Sequence, residues 1–130
     1  MTSTASLQDV NTSGDEVFTA SALSSTCTAS ETGLSGSTTI TDGTLQTSET
    51  GGPGGTPVVV DLPANPAPNT TYNGQIEGVG DAFQYIFNEQ VVNPDGSLTV
   101  YAAHLRLLGP TAVGDLYIGK VECGVTAVVV

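Results

Sequence analysis

Positive charge is what this chain has least of. Arg106 and Lys120 are its only basic side chains and His104 its only histidine, against thirteen acidic residues in 130 and a formal net charge of −11. Such a surface repels phosphate backbones and anionic lipid headgroups alike, which argues against nucleic acid and membrane surfaces as partners. No apolar run approaches the ~18 residues a membrane span needs, so no membrane insertion is expected. The opening MTSTASLQDV has neither the basic start nor the apolar stretch of a signal peptide. Either the chain is not exported or Met1 replaces a removed leader.

Signatures of chemistry are missing too. There is no G-x-S-x-G elbow, no phosphate-binding glycine loop and no H-E-x-x-H. No dense D-x-D-x-D loop is present for calcium, and a single histidine with two cysteines falls short of the four ligands zinc prefers. The sequence therefore points to a protein without catalytic residues, cofactor or metal. Asn11-Thr12-Ser13 and Asn69-Thr70-Thr71 match the glycosylation sequon, a pattern frequent by chance where threonine is common.

What the chain has is Ser, Thr, Gly and Val, with charged residues only 12% of the total. Solubility must then rest on hydroxyls, backbone and net negative charge, a composition more usual in secreted β-rich domains. The length suits one domain with one core. Short β-branched runs broken by Gly, Pro, Asn or Asp place strands within Ser6 to Val10, Val17 to Ala29, Ser37 to Gln46, Pro57 to Leu62, Thr71 to Gly78, Ala82 to Val92, Leu98 to Leu108 and Asp115 to Val129. TSETGGPGGTP reads as a flexible loop and LPANPAPNT as a Pro-spaced extended segment. The expected fold is all-β, a single-domain antiparallel β-sandwich with Greek-key-like connectivity. Cys27 and Cys123 bracket most of it, and the extracellular composition favours a disulfide between them; two reduced, buried thiols are the alternative.

One stretch gathers most of the reactive side chains: FNEQVVNPDGSLTVYAAHLRLLG, Phe87 to Gly109. Asn93-Pro94-Asp95-Gly96 fits a three-residue hairpin loop, with Pro94 and Asp95 in a type I turn and Gly96 at the left-handed bulge position. That turn pairs Asn93 with Ser97, Glu89 with Tyr101, Phe87 with Ala103, Tyr85 with Leu105 and Phe83 with Leu107, an apolar face. The other face pairs Ile86 with His104, Gln84 with Arg106, Asn88 with Ala102 and Gln90 with Val100. His104 and Arg106 then point to water, while Glu89 falls on the apolar face and needs a partner, either backbone or Tyr101. Lys120 could form an isopeptide bond only if buried, and the neighbouring Val121 and Cys123 turn it outward.

In this order, TCTASETGLSGSTTITDGTL, LPANPAPNTTYNG, FNEQVVNPDGSLTVYAAHLRLLG and GDLYIGKVECGV resemble the actinobacterial secreted proteins grouped as choice-of-anchor P family proteins. The resemblance covers roughly Ser21 to Val125. It rests on an early Cys, a Pro-spaced "NT" segment, an N-E-Q stretch, an A-x-H-like strand end and a late G-D-x-x-x-G motif. It implies export, a surface location and no known enzymatic activity.

The function expected is that of a non-enzymatic extracellular structural or adhesive protein. The uncharged, β-branched end Thr126, Ala127, Val128, Val129 and Val130 is a strand that must pair, either within the domain or, like the segment Thr2 to Val10, with a neighbouring copy. Self-association through edge strands, or contact with other surface proteins, is the expected partnership. Two alternatives stay open. One is an ice- or glycan-binding module, which requires hydroxyl rows such as Thr39-Ile40-Thr41 to line a flat face; the other is a phage capsid decoration or tail protein.

Overall fold

A computed structural model describes residues 1–12, 17–48, 50–76 and 79–124. Among the described residues nine strands run in chain order: β1 (Thr2–Asn11), β2 (Phe18–Ser30), β3 (Gly33–Thr41), β4 (Thr44–Ser48), β5 (Val58–Asp61), β6 (Thr70–Ile76), β7 (Asp81–Val92), β8 (Leu98–Gly109) and β9 (Val113–Cys123). A short 3-10 turn, Pro53–Gly55, sits in the glycine-rich loop. All pairings are antiparallel, and two sheets pack face to face. One sheet is β1-β2-β4-β5 with β3 also on β2; the other is β6-β7-β8-β9. The sandwich is as expected, but its connectivity is simpler than Greek-key-like. The second sheet is a meander in chain order, and the first departs from chain order only in that β3 and β4 both pair with β2.

Several expected boundaries move. The first strand begins at Thr2 rather than Ser6, and it pairs with β2 inside its own sheet instead of being donated to a neighbour. Ser37 to Gln46 is not one strand. It breaks at Asp42-Gly43 into β3 and β4, yet the register survives the break: Ala22 faces Thr41 and Thr19 faces Thr44. The last strand ends at Cys123, so the candidate assembly strand Thr126 to Val130 lies outside the described residues.

Between the sheets, Phe18, Phe83, Tyr85 and Phe87 form an aromatic centre with Leu23, Ile40, Leu45 and Leu105 around it. A second cluster surrounds the Cys27–Cys123 disulfide, whose Cα atoms are 5.6 Å apart, with Leu98, Val100 and Val121. The bond joins β2 of one sheet to β9 of the other across 96 residues of chain. In the chain-entropy account such a loop stabilises the fold by about 4 to 5 kcal/mol.

The central strand of each sheet changes its inward phase along its length. In β8, Leu98, Val100 and Ala102 face inward, and then Ala103 and Leu105 do. In β2, Phe18 and Ala20 face inward, and then Leu23, Ser25 and Cys27. A regular strand alternates strictly, so something must reverse the phase. The reversals coincide with left-handed residues on the flanking strands. Asn88 (φ 55°) and Gly119 (φ 69°) flank Ala102, and Asp9 (φ 53°) and Asp42 (φ 51°) flank Ser21. Asn, Asp and Gly are the residues that tolerate this backbone. At Gly119 a side chain is also barred, since a Cβ there would lie 2.9 Å from Ala102 Cβ.

Asn88 is 3% exposed and works as a tie between layers. Its Oδ1 accepts from the Thr38 hydroxyl on β3 at 3.2 Å and from Gln90 Nε2 at 3.1 Å, and its Nδ2 donates to Pro66 O at 3.0 Å. The proline segment is thereby fixed over the sandwich, with Ala64 O accepting from Ile40 N. At the other end of β7, buried Asp81 accepts from Thr111 N and Ala112 N, both at 2.8 Å. Those bonds, the Thr111 one first, hold its carboxyl below the ordinary range.

Asn88→Ala should cost about 2 to 3 kcal/mol, from the lost ties and from a Cβ-bearing residue without Asn's tolerance for left-handed backbone. Asn88→Gly should cost roughly 1 kcal/mol less, because glycine keeps that conformation freely. Chemical denaturation of both variants checks the order; alanine tolerated as well as glycine would contradict a left-handed position.

Candidate functional site

The Asn93 hairpin has the expected form. Asn93 N donates to Ser97 O at 2.8 Å, Gly96 N donates to Asn93 O at 2.9 Å, and Gly96 takes φ 86°. Asp95 accepts from the Ser97 hydroxyl and N–H, which lower its pKa from the ordinary value. Register follows as expected, with Tyr85 opposite Leu105, Glu89 opposite Tyr101 and His104 opposite Ile86.

Side-chain directions do not all follow. Glu89 is not on the apolar face, and Asn88 and Val100 do not face water. Asn88 reverses the phase, so beyond it Glu89 and Tyr101 share the outer face with His104 and Arg106. On β9 the same reversal at Gly119 places Asp115, Tyr117 and Lys120 there as well. Read across β7, β8 and β9, the outer face runs Glu89–Tyr101–Lys120, then Ile86–His104–Tyr117, then Gln84–Arg106–Asp115.

His104 lies on the outer side as expected, but it is only 5% exposed rather than open to water. Its Nδ1 is 3.0 Å from Glu89 Oε1 and 3.1 Å from Oε2; its Nε2 is 2.7 Å from Asp115 Oδ1. Tyr117 stacks on the imidazole with ring centroids 4.1 Å apart, and Tyr101 lies 4.5 Å from Tyr117. Burial, and then the Asp115 charge, push the Tyr117 hydroxyl above its ordinary value, although the residue stays 49% exposed. Arg106 Nε approaches Asp115 Oδ1 at 3.8 Å and its Nη1 donates to Gln84 Oε1 at 3.3 Å. Gln84 Nε2 in turn donates to Asn73 Oδ1 at 2.9 Å. A polar chain thus crosses all four strands of the sheet.

An ionised carboxylate only accepts, and a neutral imidazole has one N–H. The arrangement resembles the base-and-orienter part of a catalytic set, in which the other imidazole nitrogen faces a nucleophile. Here that nitrogen faces a second carboxylate, and no hydroxyl or thiol lies in its place. Metal binding fails on geometry, since the two nitrogens point to opposite sides of the ring toward different carboxylates. Among the described residues no group of three His, Cys, Asp or Glu side chains could hold a metal.

Elsewhere, an open cleft of about 390 Å³ lies at the β3–β4 break, lined by Asp42, Thr44, Asp61 and Leu62. It belongs to the other sheet and contains no histidine, cysteine or basic group. Lys120 is exposed, as expected. Asn69 is exposed with its Oδ1 accepting from Gln90 N at 3.0 Å, and Ser13 of the first sequon lies outside the described residues.

The outer face of the first sheet is of a different kind. Register aligns Thr2–Thr28–Ser35, Thr4–Thr26–Ser37 and Ser6–Ser24–Thr39 across β1, β2 and β3. Thr2 and Thr28, and Thr4 and Thr26, have their hydroxyl oxygens 3.4 Å apart. No charged side chain interrupts these rows. No family model, curated protein or solved structure matches the chain.

His104→Ala should lower stability by about 2 to 3 kcal/mol, because it leaves two carboxylates facing each other with no group between them. Glu89→Gln keeps an acceptor for Nδ1 and should cost distinctly less. Thermal denaturation of the two variants at neutral pH checks this; equal, negligible losses would mean the contacts contribute nothing.

Proposed function

We propose that this protein is a non-enzymatic, extracellular structural or adhesive module that self-associates through its strand edges. The observation that carries the reading is the closure of His104, the one group suited to proton transfer at neutral pH, between two carboxylates and under two tyrosines. A catalytic imidazole needs a nitrogen open to substrate or nucleophile, and this one has none. Export is supported by the Cys27–Cys123 bond, which persists in oxidising compartments, and by the resemblance to choice-of-anchor P family proteins. Among the described residues no helix is long and apolar enough to cross a membrane.

Strand addition suits a chain in which, among the described residues, β1, β3, β5, β6 and β9 each pair with one strand only. The apolar segment Thr126 to Val130 remains the candidate for donation. A head-to-tail contact of that kind repeats into a filament unless its rotation closes a ring.

A second reading, an ice- or glycan-binding module, is favoured by the three hydroxyl rows on the first sheet. β3 alone offers Thr39 and Thr41; the array forms only where β1, β2 and β3 are in register. Light scattering and a pull-down on ice or insoluble polysaccharide separate the two readings on one sample. The structural reading expects concentration-dependent growth that deletion of Ala127 to Val130 abolishes, with no retention on either solid. A strictly monomeric protein at high concentration, or a truncation that assembles equally well, would sink strand addition.

A further inference from the structure

Both basic side chains of the chain stand on the outer face of the β6–β9 sheet, exposed, one on each side of the phase reversal. Arg106 shares a row with Asp115, and Lys120 shares one with Glu89. Lys120 makes no ion pair among the described residues, and the Arg106–Asp115 approach is long at 3.8 Å. The whole chain has thirteen acids. Glu89, Asp115 and Glu122 are on this face, and the ten that remain belong to parts of the sequence with no basic side chain at all.

That distribution decides how two copies can approach. This face carries both the lysine and the arginine of the chain, so here each molecule offers those cations to the other's carboxylates. The two charged rows are also arranged so that one two-fold rotation matches them. With the axis in the plane of the face and across the strands, the end holding Arg106 and Asp115 falls on the end holding Glu89 and Lys120. Asp115 of each copy then meets Lys120 of the other, Arg106 falls on Tyr101, and every contact occurs twice, as an isologous interface requires. Tyr117, half exposed on its His104 support, falls near the centre. Tyrosine and arginine are the residues interface cores favour, and a rigid three-strand platform loses little freedom on docking.

We propose that this face docks on its own counterpart in a second molecule, forming a two-fold dimer held by reciprocal Lys120–Asp115 pairs, with each Arg106 set over the other copy's Tyr101 and beside its Glu89. The contact uses a sheet face, whereas the strand addition proposed above uses sheet edges, so the two are independent and can coexist in one assembly.

Sedimentation velocity of the full chain over a range of concentration and salt tests it, alongside Arg106→Glu and Lys120→Glu. Both side chains are exposed, so neither reversal should impair folding. The expected result is a dimer at low salt that weakens as salt is added, and that each reversal weakens by about tenfold or more through like-charge repulsion. A monomer under all conditions would overturn the proposal. So would association that neither salt nor either reversal changes, the behaviour of edge-strand pairing alone, and that outcome would leave strand addition standing. Dimers abolished by the reversals but indifferent to loss of Ala127 to Val130 would do the opposite.

Discussion

A strand that must line two separate cores cannot alternate evenly from end to end. The sandwich solves this by crossing each sheet with a left-handed backbone position on the strands beside the central one: Asn88 and Gly119 around Ala102, Asp9 and Asp42 around Ser21. The hydrogen-bond register continues through both lines. Only the side-chain phase changes. Above the line the strands reach the disulfide cluster and below it the aromatic centre, while Leu23 and Ala102, next to the line, also pack on the aromatic centre. The reversal also explains why β3 and β4 separate at Asp42 while keeping one register on β2.

On the outer surfaces the same constraint sets what neighbours what. Tyr101 and His104 are three residues apart, and in an unbroken strand they would face opposite ways. Reversal puts them side by side, brings Glu89 against the imidazole, and lets Asp115 close the other nitrogen. A sequence with one histidine has thereby spent it on joining β7, β8 and β9, the one place where its few polar reactive groups converge. The outer face of the other sheet has neither charge nor aromatic rings in its hydroxyl rows. The two faces therefore differ sharply in chemistry, so a contact made through one leaves the other free for a different surface.

Much of this was legible in the sequence. Period-two runs and turn residues indicate the all-β sandwich, the cysteine placement indicates the bond, and Asn93-Pro94-Asp95-Gly96 gives the hairpin register to the residue. Side-chain direction was lost at Asn88, because alternation was carried through a residue whose type permits left-handed backbone but does not demand it. From there Glu89 was assigned to the wrong face and its partner misidentified. Asp115 could have been placed opposite Arg106 only with the β8–β9 turn known, and the Gly109 to Ala112 loop offers no standard two- or three-residue signature. The hydroxyl rows depend on the register of three strands, which no single stretch encodes. Asn88 and Gly119 were visible as an Asn and a Gly in mid-strand, positions where such residues often mark an irregularity.

The phase reversal is the claim on which both the closed histidine and the charged face depend, and proton NMR of the oxidised protein addresses it most directly. Nuclear Overhauser contacts from the His104 ring should reach both Tyr101 and Tyr117, whose ring centroids lie 6.4 and 4.1 Å away. Contacts from His104 to Tyr117 alone, with the Tyr101 ring giving its contacts to Phe87 and the aromatic centre instead, would mean that β8 alternates without interruption and would contradict the account.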